Sequence, residues 1–140
     1  MPAGVNRLAI AIFGHTAARL LPVILSKTGR ERSIALFANC KLPTMPAEVE
    51  INLLDTLPVI LNWADFLVCD VPLEFLDKFL AKMKLPEPEN KLAIPGQVLV
   101  STEMPCGGVA ECGACSILVG RSYQFVCKDG PVFDLQELLL

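Results

Sequence analysis

The sequence is short of several groups on which common functions depend. Aromatic residues make up 6% of its 140 residues, with one Trp and one Tyr. Trp63 and Tyr123 each stand alone, too few for a stacking surface. Charged residues make up only 19%, and the net charge is -3, which argues against a nucleic-acid partner. No uncharged apolar run approaches the ~18 residues that a membrane-crossing helix needs. The N-terminal stretch Met1 to Arg7 has neither a charged leader region nor a small-residue cleavage pattern, so a cytoplasmic protein is expected. What is abundant is apolar: 53% of residues are hydrophobic and the mean hydropathy is +0.51. Such an excess implies surface buried in a complex, and a hetero-oligomer is expected. The plainer alternative is a Leu-rich core.

Cysteine is the other abundance, with six in the chain. Cys106, Cys112, Cys115 and Cys127 fall close together in the last third, at C-x5-C-x2-C-x11-C. Three of them lie in a loop rich in Gly and Ala, and the fourth is expected to end a strand. Four thiolates hold a [2Fe-2S] cluster, two on each iron, and a known spacing is C-x4-C-x2-C followed by a distant Cys. Gly107, Gly108 and Gly113 suit a loop whose backbone N–H groups must approach the sulfurs. A zinc ribbon wants two C-x2-C knuckles, and only Cys112 to Cys115 forms one. Disulfides suit a secreted domain, and no secretion signal is seen. A thioredoxin-like C-x-x-C leaves Cys106 and Cys127 unexplained. The spacing, with a strand between Cys115 and Cys127, favours [2Fe-2S] over [4Fe-4S]. Cys40 and Cys69 lie at ends of expected strands and read as small buried hydrophobes.

Met104, Cys106-Gly107, Cys112-Gly113-Ala114-Cys115 and the run Cys127-Lys128-Asp129-Gly130-Pro131-Val132-Phe133 carry a more specific signal. They resemble the C-terminal iron–sulfur domain of the electron-transfer subunit of bacterial dihydroorotate dehydrogenase, within the ferredoxin–NADP reductase-like flavoproteins. The departure is a first gap of five residues where the usual motif has four. The resemblance implies Cys106, Cys112, Cys115 and Cys127 as metal ligands.

Residues 1–90 read as alternating strands and helices. Strands are expected at Arg7 to Phe13, Ser33 to Ala38, Val49 to Leu54 and Asp65 to Cys69, with apolar runs typical of strands buried on both faces. Helices are expected from Ala17 to Lys27, ended by Gly29 as a C-cap and with Pro22 placing the start nearer Leu20, from Asp55 as a cap to Leu61, and from Leu73 to Lys84. Asp70-Val71-Pro72 reads as a turn and Pro86 to Asn90 as a linker. Residues 91–140 read as a strand at Gln97 to Thr102 and a hairpin of Ser116 to Val119 with Tyr123 to Cys127. A tight turn at Asp129-Gly130-Pro131 follows. The fold class is therefore α/β: a truncated, Rossmann-like parallel sheet over 1–90, then a small β iron–sulfur domain over 91–140.

The first part is similar to the nucleotide-binding domain of the same reductase family. Gly14, His15 and Thr16 stand where that family has its glycine-rich turn. Only one glycine remains there, and the expectation is a vestigial turn that has lost NAD(P). No flavin barrel is seen, so FAD is expected on a partner or a missing domain. The expected function is an electron-transfer component that is not catalytic alone, relaying electrons between a flavin and a flavin- or iron–sulfur-containing oxidoreductase subunit. Two alternatives stay open: a truncated NAD(P)H-binding reductase subunit, and a structural subunit whose metal only holds the fold.

Overall fold

The computed structural model describes residues 4–28, 32–83 and 94–140. The first strand, β1 (Arg7–Ile12), is buried at every position after Arg7. Alternation sorts its side chains. Leu8, Ile10 and Ile12 enter one core with Ile34, Leu36 and Ala38, while Ala9 and Ala11 enter the other with Ala35 and Phe37. Both faces are thus dry, which is why the strand reads as an unbroken apolar run. Helix α1 (Leu21–Lys27) follows, with Pro22 in its first turn as expected and Thr28 as its C-cap residue. Its Ile24 is fully buried on the Ile10 side of the sheet. Gly29 itself lies outside the described residues.

Strand β2 (Ser33–Ala38) has the expected bounds and leads through an irregular loop to β3 (Val49–Asn52). The short connection holds no helix, as its length predicts. Helix α2 (Leu57–Ile60) is a single turn between two 3-10 turns, with Pro58 at its start. Asp55 does not cap it. Its carboxylate instead accepts from Lys82 Nζ at 2.6 Å. Strand β4 (Phe66–Pro72) runs three residues past the expected end, so Asp70, Val71 and Pro72 are strand and not turn. The cause is tertiary: β4 pairs with β1 up to Asp70 and with β5 (Gly96–Ser101) up to Pro72. Helix α3 (Leu76–Met83) lies against the sheet through Leu76, Phe79 and Met83. The expected linker at Pro86 to Asn90 lies outside the described residues.

The hairpin is β6 (Ser116–Val119) with β7 (Ser122–Phe125), turned at Gly120 and Arg121. β7 stops two residues before Cys127. The Lys128 and Asp129 N–H groups both donate to the Phe125 carbonyl, and the Asp129 carboxylate accepts from Phe125 N–H at 2.8 Å. Cys127 therefore sits in a turn, not at a strand end. The sequence reading also missed two elements, β8 (Val132–Asp134) and α4 (Leu135–Leu139). Asp134 caps α4 by accepting from the N–H groups of Gln136 and Glu137.

The sheet order is β3-β2-β1-β4-β5-β8, with β1 to β5 parallel and β8 antiparallel at the edge. Strands from both sides of residue 90 pair in this one sheet. The cysteine-bearing residues form an excursion from it, between β5 and β8.

Asp65 ties the near ends of β1 and β4. Its Oδ2 accepts from the N–H groups of Asn6 (3.2 Å) and Arg7 (2.9 Å), and its Oδ1 from Arg7 Nε (3.2 Å) and Nη2 (2.8 Å). The Arg7 guanidinium, then the Arg7 N–H, holds this carboxyl below the usual carboxylate range. A lowered folded-state value adds stability above the unfolded-state value, and that stability is lost as pH falls through the folded-state value. Asp65→Asn should lower Tm at neutral pH and lose less Tm on acidification than the wild type. Thermal unfolding followed by circular dichroism across that range checks this. Equal Tm at neutral pH would show the cluster of bonds to be inert.

Candidate metal centre

Residues 102–115 connect β5 to β6 without regular structure. Gly107 N–H donates to the Met104 carbonyl at 2.8 Å and Ser116 N–H to the Gly113 carbonyl at 3.1 Å, so the segment is a chain of tight turns. The long first gap, between Cys106 and Cys112, contains three residues with positive φ: Gly107, Gly108 and Ala110. At Gly108 a Cβ would stand 4.0 Å from Cys127 Cβ, so the loop and the 125–129 turn lie against each other there. Ala110 has no such licence. At φ 60° it carries backbone strain of roughly 1–2 kcal/mol. Its N–H is one of the groups that act on the Cys127 sulfur, and it favours the thiolate there.

The four cysteines form two pairs. In the first, the backbone N–H groups of Cys112, Glu111 and Gly108 and the Cys112 thiol are the polar groups that act on the Cys106 sulfur. These donors, led by Cys112 N–H, push its pKa down to about 6. Ala114 N–H in turn reaches Cys112 Sγ at 3.5 Å. In the second, the Cys127 thiol is pushed up, first by its hydrogen bond with Cys115, then by desolvation and by repulsion from Cys115 and Cys106. Cys115 is buried, and Val126 N–H donates to its carbonyl at 3.0 Å, which brings the 125–129 turn alongside it. Among the described residues no group of three or more His, Cys, Asp or Glu side chains already stands at metal-holding geometry. The arrangement is one of paired thiols, and thiols must lose their protons before they bind metal. The donor set fits an iron–sulfur group: all sulfur, with backbone N–H groups turned toward three of the four sulfurs.

Cys69 is fully buried in β4, and burial, then the neighbouring Asp70 charge, pushes its thiol up. Cys40 is half-buried against the core on the α1 side. Both pack as small hydrophobes.

Gly14, His15 and Thr16 lie just past the end of β1. His15 and Thr16, with Arg19, Glu74, Thr102 and Glu103 among others, line a crevice of about 570 Å³. It opens at the carboxyl ends of β1 and β4, where the strand order reverses direction, the usual ligand position in an open α/β sheet. His15 meets Phe75 edge-on at 6.0 Å. The sequence reading missed the pair beside them, Arg19 and Asp70. Asp70 is fully buried and accepts from Arg19 Nε through both carboxylate oxygens, at 3.1 and 2.9 Å. A charged residue inside the apolar run from Phe66 to Pro72 was the available signal.

Residues 102–139 match the family model described as the iron–sulfur cluster binding domain of dihydroorotate dehydrogenase B. In this part the chain is similar to a dihydroorotate dehydrogenase electron-transfer subunit. The gamma subunit of sulfhydrogenase 1 from Pyrococcus furiosus is 36% identical over 47 residues, covering 32% of this chain and 16% of that protein. The NADH-dependent reduced ferredoxin-NADP oxidoreductase, a structure described for flavin-based electron bifurcation, shares the fold. It superposes with a TM-score of 0.62 at 18% identity, covering 94% of this chain and 53% of the other. The chain thus spans about half the length of the solved relative and a small part of the curated one. The likeness extends the ferredoxin-reductase-like fold over β1 to β5 as well as the cysteine segment. No helix among the described residues is long and apolar enough to cross a membrane.

Proposed function

We propose that this chain is an electron-transfer subunit that carries a [2Fe-2S] cluster on Cys106, Cys112, Cys115 and Cys127. The observation that carries the reading is the match of residues 102–139, which hold all four cysteines, to an iron–sulfur cluster binding domain. The neighbouring pairs, Cys106 with Cys112 and Cys115 with Cys127, suit two irons with two thiolates each. When bound, the cluster supplies one-electron chemistry. The protein's part is to hold the sulfurs, to direct the N–H groups of Gly108, Ala110, Glu111, Cys112 and Ala114 at them, and to limit water on the Cys115 side. Residues 91–140 act as the cluster-bearing unit, joined to 1–90 through the one sheet they share. The flavin resides on a partner oxidoreductase subunit or on a domain beyond this sequence. The chain works in the cytoplasm, within a hetero-oligomer, and is not catalytic alone. Anaerobic preparation should give brown protein with about two irons per chain and matching sulfide. Colourless protein holding zinc would sink the proposal.

The rim of the cysteine loop is apolar. Val109 is 62% exposed and Met104 37%, with Pro105 exposed between them in sequence. A dry contact around a transfer site wants such a surface. Val109→Glu would bury an unpaired carboxylate at that contact. It should weaken assembly with the flavin-bearing subunit, or slow electron transfer to it, by about tenfold, ~1.4 kcal/mol, with the visible spectrum intact. Unchanged assembly and transfer would move the docking surface to the hairpin, where the cross-strand pair Leu118 and Tyr123 is 53% and 76% exposed.

A further inference from the structure

A strand–helix turn takes a dinucleotide when three conditions coincide. A glycine must leave its open side to the ligand, backbone N–H groups at the helix start must be free, and the surroundings must not repel a phosphate. The turn after β1 falls short of each. The space a Cβ would occupy at Gly14 faces Pro72 Cγ at 3.2 Å and Arg19 Nη2 at 3.4 Å, so the glycine is packed against its own chain. Ala18 N–H is taken by Thr16 Oγ1 at 3.2 Å, and the N–H groups of Leu20 and Leu21 by the Ala17 carbonyl at 3.0 and 3.1 Å. Pro22 has no N–H to give.

Charge points the same way. The Nε side of the Arg19 guanidinium is committed to Asp70, a carboxylate with no exposed surface. Glu74 and Glu103 add two further carboxylates to the described lining of the crevice. A pyrophosphate entering here would meet a closed glycine, helix-start donors partly taken, and more carboxylate than guanidinium charge.

We infer that Arg19 and Asp70 close this crevice to phosphate ligands. The turn that this fold offers to a dinucleotide serves here as an internal ion-pair lock between the start of α1 and the end of β4. The inference goes beyond the electron-transfer reading and does not depend on it.

The wild-type chain, purified with its metal, is titrated with NADH, NADPH and inorganic pyrophosphate in a calorimeter and in thermal unfolding. No saturable heat and an unmoved Tm are expected for all three. Saturable binding of any one tighter than about 0.1 mM overturns the inference. A double-mutant cycle tests the lock itself. Arg19→Gln strands a buried carboxylate and should lower Tm, and adding Asp70→Asn should recover most of the loss. A double variant no more stable than Arg19→Gln alone overturns the lock, and so does an Arg19→Gln protein with wild-type Tm. If Arg19→Gln does not fold, a double variant that folds supports the lock and one that also fails overturns it. Iron content and the visible spectrum, measured on the same samples, report separately on the metal site.

Discussion

Cys112→Ser is expected to yield nearly colourless protein, with iron falling from about two per chain toward none. The same is expected for Cys106, Cys115 and Cys127. A serine hydroxyl is a harder and far less acidic ligand than a thiol, and each iron of a [2Fe-2S] cluster has only two protein ligands to lose. The loss should extend to stability, because metal affinity is folding free energy for a segment with little core of its own. Cys115 should suffer most in the apo state as well, since it is buried beside Ile117 and Val126. Cys40→Ser and Cys69→Ala are the controls, and both should keep the colour while Cys69→Ala loses some core packing. Iron analysis with absorption spectra decides the matter. Colour retained in Cys106→Ser and lost in Cys40→Ser would reverse the ligand assignment.

Gly96→Ala should cost about 1–3 kcal/mol, a large effect for a single methyl group. A Cβ there would stand 2.7 Å from the Leu67 carbonyl oxygen and 2.9 Å from Leu135 Cδ2. The first of these is backbone, fixed by pairing between β4 and β5 in which Gly96 lies opposite Leu67. The strands must part or α4 must lift. Gly120→Ala is the useful comparison. It has positive φ but open space around it, so its cost is conformational only, roughly 1 kcal/mol. Urea unfolding of both variants measures the difference. A Gly96→Ala protein as stable as Gly120→Ala would mean that the β4–β5 contact yields easily.

The parts of the fold legible in the sequence are those determined locally. β2 and β6 have the expected bounds because an apolar run ends at a polar or glycine residue on each side. The gathering of four cysteines was legible for the same reason, since their spacing is a property of one short segment. Asp70 was misread because its partner Arg19 is 51 positions away, and only that partner lets a carboxylate remain in a buried strand. β8 and α4 were missed because Asp129-Gly130-Pro131 looks like a stop, while a three-residue strand is stabilised by its neighbour β5 and not by its own pattern. The thiol pairing was likewise out of reach, since it depends on how the 125–129 turn folds back beside Cys115.

The cysteine segment leaves the sheet after Ser101 and returns at Val132, beside the place it left. Leu99 lies opposite Val132, and Val100 N–H donates to the Pro131 carbonyl at 2.9 Å. A segment whose two stems already touch asks little of its host, because the entropy of closing it grows only slowly with its length. Its apolar residues Ile117, Val119 and Val126 are not a separate cover but part of the core that the sheet and α4 share. A sheet edge could receive such an excursion in place of a tight turn only where it also offers an apolar face for those three side chains.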